Sequence, residues 1–149
     1  MRKPDSPSFA WLQLPATLDA LEVVRSFISQ KAHQVSFPSE AFYKVELVLE
    51  ELLVNVISYA YSSEQAGIVE VGCGISGEDW FCVQIRDQGR PFNPLSLASP
   101  DLTTDIPNRQ IGGLGVYFVL QMVHDVNYER RDEWNEFTFC FHLSELGGT

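Results

Sequence analysis

The sequence predicts an α/β (α+β) fold, a two-layer sandwich whose mixed, mostly antiparallel sheet is covered on one face by helices. The β-rich runs 68–75 and 80–86 are separated only by Ser76-Gly-Glu-Asp79, which is a hairpin pattern. A second pair of β-rich runs, 126–130 and 135–143, flanks another short turn near the C-terminus. Between strands lie segments whose apolar residues recur at helical spacing. Hairpin-like neighbours outnumber strand–helix–strand crossovers, which favours the antiparallel arrangement. At 149 residues with 45% hydrophobic content, the chain suits one domain, 1–149, with a sizeable core.

The elements follow in order. Residues 1–8 form a polar leader carrying Arg2, Lys3 and two prolines, with no apolar stretch of the kind a signal peptide needs. Phe9 to Leu14 reads as a strand closed by Pro15, and Thr17 stands where an N-cap would precede a helix running through Leu18 to Ile28. Phe37-Pro38-Ser39 breaks the chain. From Glu40 to about Tyr61, Phe42, Val45, Val48, Leu49, Leu52, Leu53, Val56 and Ile57 mark the longest helix. The second strand of the hairpin runs directly into Asp87-Gln88-Gly89. Residues 90–111 hold Pro91, Pro94, Pro100 and Pro107, too prolyl for a helix and too long for a simple connection, so they read as a lid. Gly112-Gly113-Leu114-Gly115 then opens a helix over 116–124, followed by the last two strands.

A formal net charge of −10 and a pI near 4.6 argue against direct nucleic-acid binding and against an anionic membrane surface. No run approaches the roughly 20 apolar residues that span a bilayer. Cys73, Cys82 and Cys140 make no C-x-x-C pair and sit in apolar runs, so reduced, buried thiols and a cytoplasmic location are expected. His33, His124 and His142 lie far apart in sequence, and no metal cage is expected from them.

Three features carry chemistry. Glu51 and Asn55 are four apart on the long helix, so an acid and an amide emerge on one face. An amide oxygen suits Mg²⁺, and a carboxylate one turn away can take a proton from a nucleophile. Asp87 ends a strand where it can accept from an exocyclic amino group, and Gly89 lets backbone approach a flat ring. Gly112, Gly113, Leu114 and Gly115, at a helix start, offer unhindered N–H groups and a positive dipole end for phosphates. Each feature alone is commonplace on solvated helices and in turns. Neither the Rossmann nor the Walker spacing is met.

Their order is distinctive: E-E-L-L-V-N on a helix, R-D-Q-G-R-P-F-N-P after a strand, then I-G-G-L-G-V before another helix. From about Leu12 to Leu143 the chain resembles the GHKL, or histidine-kinase-like, ATPase domain. Within that superfamily it is most similar to bacterial anti-sigma factors of the serine/threonine-protein kinase type, through P-F-N-P at 91–94 and D-V-N-Y-E-R-R-D-E-W-N at 125–135. The resemblance implies ATP and Mg²⁺ as cofactors, with Glu51 as general base and Asn55 as magnesium ligand. It further implies Asp87 on the adenine amino group, Gly89 beside the ring, and Gly112, Gly113, Leu114 and Gly115 around the phosphates.

The same resemblance implies a kinase that phosphorylates a serine of a STAS-type anti-anti-sigma factor and sequesters a sigma factor in transcription regulation. The family often forms homodimers, an option the resemblance extends to this chain. Two positions depart from the pattern. Ile111 stands where some kinase members carry a basic residue near the γ-phosphate, and Tyr59 replaces a frequent histidine. Ile111 leaves open a non-catalytic ATP-binding partner-switching module; a stand-alone ATPase is the other alternative. Arg109 is a candidate substitute for the missing cation.

Overall fold

The computed structural model describes residues 9–62, 67–97 and 113–146. Its strands are β1 (Ala10–Pro15), β2 (Ile68–Ser76), β3 (Trp80–Asp87), β4 (Asp125–Arg131) and β5 (Trp134–His142). Its α-helices are α1 (Ala20–Gln34), α2 (Phe42–Asn55) and α3 (Gly113–Leu120). The sheet order is β1-β2-β3-β5-β4, and every neighbouring pair is antiparallel, so the expected mostly antiparallel sheet is antiparallel throughout.

Alternation along the strands separates two faces. Val69, Val71, Phe81, Val83, Ile85, Phe137, Phe139 and Phe141 point toward the helices and are buried against Val24 and Ile28 of α1 and Val45, Val48, Leu49, Leu52 and Leu53 of α2. Phe37, in the α1–α2 connection, meets Phe81 and Phe141 edge-on with centroids 5.3 and 5.8 Å apart. Each such side chain contributes about 1.5–3 kcal/mol by leaving water. On the opposite face Arg86 bonds Glu70 at 2.7 Å and Glu136 at 3.0 Å, and its guanidinium lies 4.2 Å from the Trp134 ring centroid. The Trp11 ring lies over Gly72, where a Cβ would stand 2.6 Å from it.

Three local expectations change. Thr17 does not cap α1 through its side chain; Asp19 is the N-cap residue without a side-chain bond, and the entry is held by the Ala20 N–H donating to the Thr17 carbonyl at 2.9 Å. The helix continues past Ile28 to Gln34 and stops where Ser36 turns left-handed at φ 61°. The cysteines are not all reduced: Cys82 and Cys140 are joined in a disulfide, leaving Cys73 as the buried free thiol. They stand directly opposite in the β3–β5 register, a juxtaposition hidden by 58 residues of sequence. Burial pushes the Cys73 thiol up to about 12. His124 and His142, distant in sequence, both approach Glu145, yet no group of three metal-ligating side chains occurs among the described residues. No helix among the described residues is long and apolar enough to cross a membrane.

Candidate functional site

The site starts from α2, whose apolar stripe turns inward and leaves Glu51 and Asn55 at its border, one helical turn apart. Asn55 is 3% exposed, and its Nδ2 donates to the Glu51 backbone carbonyl at 2.7 Å. That bond fixes the amide and leaves Oδ1 as the atom for a ligand. A single hard oxygen suits Mg²⁺, which keeps waters and takes phosphate oxygens for its remaining positions.

Beyond Asn55 the helix widens into a π-turn, Val56–Ala60. Such turns free carbonyls from the α ladder and recur at functional sites. Two carbonyls of this turn accept from one residue: Tyr59 O from Arg90 Nε at 2.8 Å, and Ala60 O from the Arg90 N–H at 3.0 Å. The wide turn thereby grips the chain leaving β3. A Cβ on Gly89 would stand 2.1 Å from Ala60 O, so only glycine permits this approach.

The Asp87-Gln88-Gly89-Arg90 segment is bonded from three further directions. The Gln88 N–H donates to the Tyr61 hydroxyl at 2.8 Å, and that hydroxyl donates to Ile68 O at 2.6 Å. Arg130 of β4 donates to Gly89 O at 2.7 Å. Asp87 Oδ1 accepts from the Gly89 N–H and from Asn135 Nδ2, each at 2.9 Å. Asp87 is 4% exposed. Burial raises its carboxyl above the ordinary range, opposed by the bonds from Asn135 and Gly89 and by the charge of Arg130.

Asp87 and Asn135 are polar members of a narrow, mostly apolar slot walled by Leu52, Val56, Ala60, Ile85, Phe92, Pro94, Tyr128 and Phe137. Its lining is chemically suited to an apolar group that carries an N–H donor. Near the same stretch of α2, α3 packs against the helix, and a Cβ on Gly115 would stand 1.8 Å from Glu51 Oε1. The Glu51 carboxylate therefore rests on the first turn of α3. Its carboxyl is raised by burial and, secondly, by the neighbouring charge of Glu50.

Glu51, Asn55 and Gly115 thus cluster where α2 meets α3, Asp87 lines the slot, and Gly89 packs on Ala60. Gly113 begins α3; the Leu114 side chain and Gly112 lie outside the description, as do Arg109, Ile111 and most of the 90–111 lid. Of that lid the structure describes the start, including a 3₁₀ turn Pro94–Leu97 beside α3. Sequence reasoning missed Asn135, Tyr61, Arg130 and the π-turn. The segment 125–135 entered the resemblance without a role, yet it supplies Tyr128, Arg130 and Asn135.

An antiparallel sheet with a narrow apolar slot under its helix layer, a buried amide and carboxylate beside it and a glycine-opened helix suit a class: α/β domains that hold a nucleotide between sheet and helices. The chain belongs to the family described as the histidine kinase-like ATPase domain, which it matches over residues 14–141. It is 26% identical over 100 residues to the serine/threonine-protein kinase BtrW of Bordetella bronchiseptica, spanning 67% of this chain and 70% of that one. It is 28% identical over 119 residues to the serine-protein kinase RsbW of Listeria monocytogenes, spanning 77% and 75%. In fold it is similar to the RsbU and RsbW domains of a Mycobacterium tuberculosis protein, with a TM-score of 0.62 and 13% identity, across 90% of this chain and 32% of that one. A blue-light activated histidine kinase of Erythrobacter litoralis shares the fold with a TM-score of 0.53 over 72% of this chain and 46% of that one.

Proposed function

We propose that this chain is an ATP- and Mg²⁺-dependent protein-serine kinase acting as an anti-sigma factor. The observation that carries the reading is the Glu51 carboxylate resting on Gly115, one helical turn from Asn55. In this reading Glu51 is the base, Asn55 the metal ligand and the start of α3 the phosphate contact, with the Asp87 carboxylate in the slot as the base reader. The names of the relatives, serine- and serine/threonine-protein kinases, support the same activity.

In this reading Asp87 accepts from the adenine amino group, and the Gly89 turn lies along the ring. The glycine-rich start of α3 faces the phosphates. Mg²⁺, held by Asn55 Oδ1, supplies charge neutralisation when bound. Glu51 takes the proton of an incoming serine hydroxyl as its oxygen bonds to the γ-phosphorus and the bond to the ADP oxygen breaks. A carboxyl raised by burial is a stronger base than a free one once ionised.

The serine belongs, in this proposal, to a STAS-type anti-anti-sigma partner that competes with a sigma factor for this chain in the cytoplasm. Phosphorylation adds about −1.5 to −2 charges to that partner, and a chain of net charge −10 repels it. The sigma factor then takes the vacated surface.

The test is transfer of labelled γ-phosphate from ATP to the partner by wild type and Glu51→Gln, with nucleotide binding measured in parallel. We expect Glu51→Gln to lower transfer by about 10²–10⁴-fold with ATP affinity little changed. Wild-type binding without transfer would instead identify a non-catalytic ATP-binding module, and partner-independent ADP production a stand-alone ATPase.

A further inference from the structure

Asn135 lies at the start of β5, opposite Asp87 in the β3–β5 register, and is 4% exposed. All of its bonding capacity is spent. Nδ2 donates to Asp87 Oδ1 at 2.9 Å and to Arg90 O at 2.8 Å. Oδ1 accepts from the Phe92 N–H at 3.3 Å and from the Tyr128 hydroxyl. Chemistry fixes the amide orientation: a carboxylate and a carbonyl lie on one side, and two donors on the other. A reversed amide would set its oxygen against two acceptors and its nitrogen against the Phe92 N–H donor.

With both donors and both lone-pair sites engaged, Asn135 has nothing left to offer a ligand and acts through its partners. Because Asp87 Oδ1 takes the Asn135 and Gly89 bonds, Oδ2 is the carboxylate oxygen left for a donor in the slot. The other two backbone partners, Arg90 and Phe92, are the first residues of the predicted lid. One side chain therefore joins the Asp87 carboxylate to the backbone of Arg90 and Phe92.

We propose that Asn135 is a positioning residue that selects adenine over 6-oxopurines by holding the Asp87 carboxylate, and that it couples this selection to the lid root through Arg90 O and Phe92 N. The inference rests on the nucleotide-site reading of the slot but not on phosphoryl transfer. An ionised, correctly turned carboxylate accepts from a 6-amino group and repels a 6-oxo group. Tyr128 contributes by holding the amide from behind: its hydroxyl bonds Asn135 Oδ1, and its ring walls the slot.

The experiment is equilibrium binding of ATP and ITP, each with Mg²⁺, to the full chain as a function of pH, so it reads the same way whether or not a serine is phosphorylated. Asn135→Ala should weaken ATP binding about tenfold, the effect of losing one bond to a charged group, and should narrow the ATP-to-ITP preference by a similar factor. Its ATP binding should also fail at higher pH on the acid side, because Asp87 loses a bond that favours its ionised form. Asn135→Ser keeps a donor for Asp87 but cannot also bridge Arg90 and Phe92. It should recover the base preference and the acid limb while leaving the 90–97 backbone more open to hydrogen exchange than in wild type. Should Asn135→Ala not fold, Asn135→Ser and Tyr128→Phe carry the test, the latter with a smaller loss of ATP-to-ITP preference. A folded Asn135→Ala, or in its place Tyr128→Phe, with wild-type base preference and acid limb would overturn the proposal, as would an Asn135→Ser that loses both. So would an equal loss of ATP and ITP affinity, which marks a merely structural residue. Failure of wild type to bind ATP at all would instead remove the nucleotide-site reading on which the inference stands.

Discussion

The two ends of the candidate site are built differently. At the Asp87 end, the backbone of Gln88, Gly89 and Arg90 is held by Tyr61, Arg130, Asn135, Asp87 and the π-turn. At the Glu51 end, Asn55 bonds its own helix, and Glu51 rests on a glycine with its carboxyl raised by burial. One end is tied together across several elements, the other by α2 and α3 alone. Under the proposed function the first reads the base and the second serves the phosphates.

Glycine substitutions are the strongest way to break this contrast. Gly115→Ala sets a methyl 1.8 Å from Glu51 Oε1. It should lower transfer about a hundredfold or more while ATP still binds, because the base must swing away. Gly89→Ala sets a methyl 2.1 Å from Ala60 O, a backbone atom that cannot yield cheaply. It should abolish measurable ATP binding and lower the melting temperature. Comparable losses of ATP affinity in both variants would show that the two ends are not separable.

Asp87→Asn sharpens the contrast with opposite effects on binding and stability. The folded pKa of Asp87 is raised, so the folded state holds that proton more tightly than the unfolded chain, and ionisation works against the fold. The resulting loss of stability is absent below the ordinary value of 3.8 and develops as pH rises through the folded pKa. Asp87→Asn should therefore bind ATP at least about tenfold more weakly yet melt higher than wild type at neutral pH, with the gap closing as pH falls. Denaturation curves at both ends of that window, alongside binding, check it.

A smaller effect concerns pH and rate. Because the Glu51 carboxyl is raised above 4.5, the acid limb of the transfer rate should lie above that value. Glu50→Gln removes the secondary, like-charge cause and should move the limb down slightly, leaving the desolvation effect in place. A limb that does not move, or moves upward, would show that Glu50 is not felt at the base.

Much of the frame was legible because it rests on local chemistry. The period-2 runs at 68–75 and 80–86 and the short turn between them yield β2 and β3 nearly to the residue. The 3.6-residue stripe from Phe42 to Val56 yields α2 and, with it, the shared face of Glu51 and Asn55. What stayed hidden depends on pairing. Asn135 is an unremarkable polar residue until the β3–β5 register sets it against Asp87, 48 residues away. The disulfide was hidden by the same register. The π-turn Val56–Ala60 has no periodicity distinct from an α-helix, and its reason appears only when Arg90 arrives to use its carbonyls. Thr17 met the composition rule for a cap, but the chain turned into α1 two residues later.

Trp11, Trp80 and Trp134, all the tryptophans of the chain, lie on the sheet face away from the helices and the slot. Trp11 and Trp134 flank Arg86, and Trp80 stacks edge-on with His142 beside the disulfide-bearing strands. Their ultraviolet emission is consequently a gauge of the sheet's far side and nearly blind to occupancy of the slot. A fluorescence titration that stays flat on adding nucleotide is the signal this architecture dictates, and a dye-labelled ligand is the optical reporter suited to it.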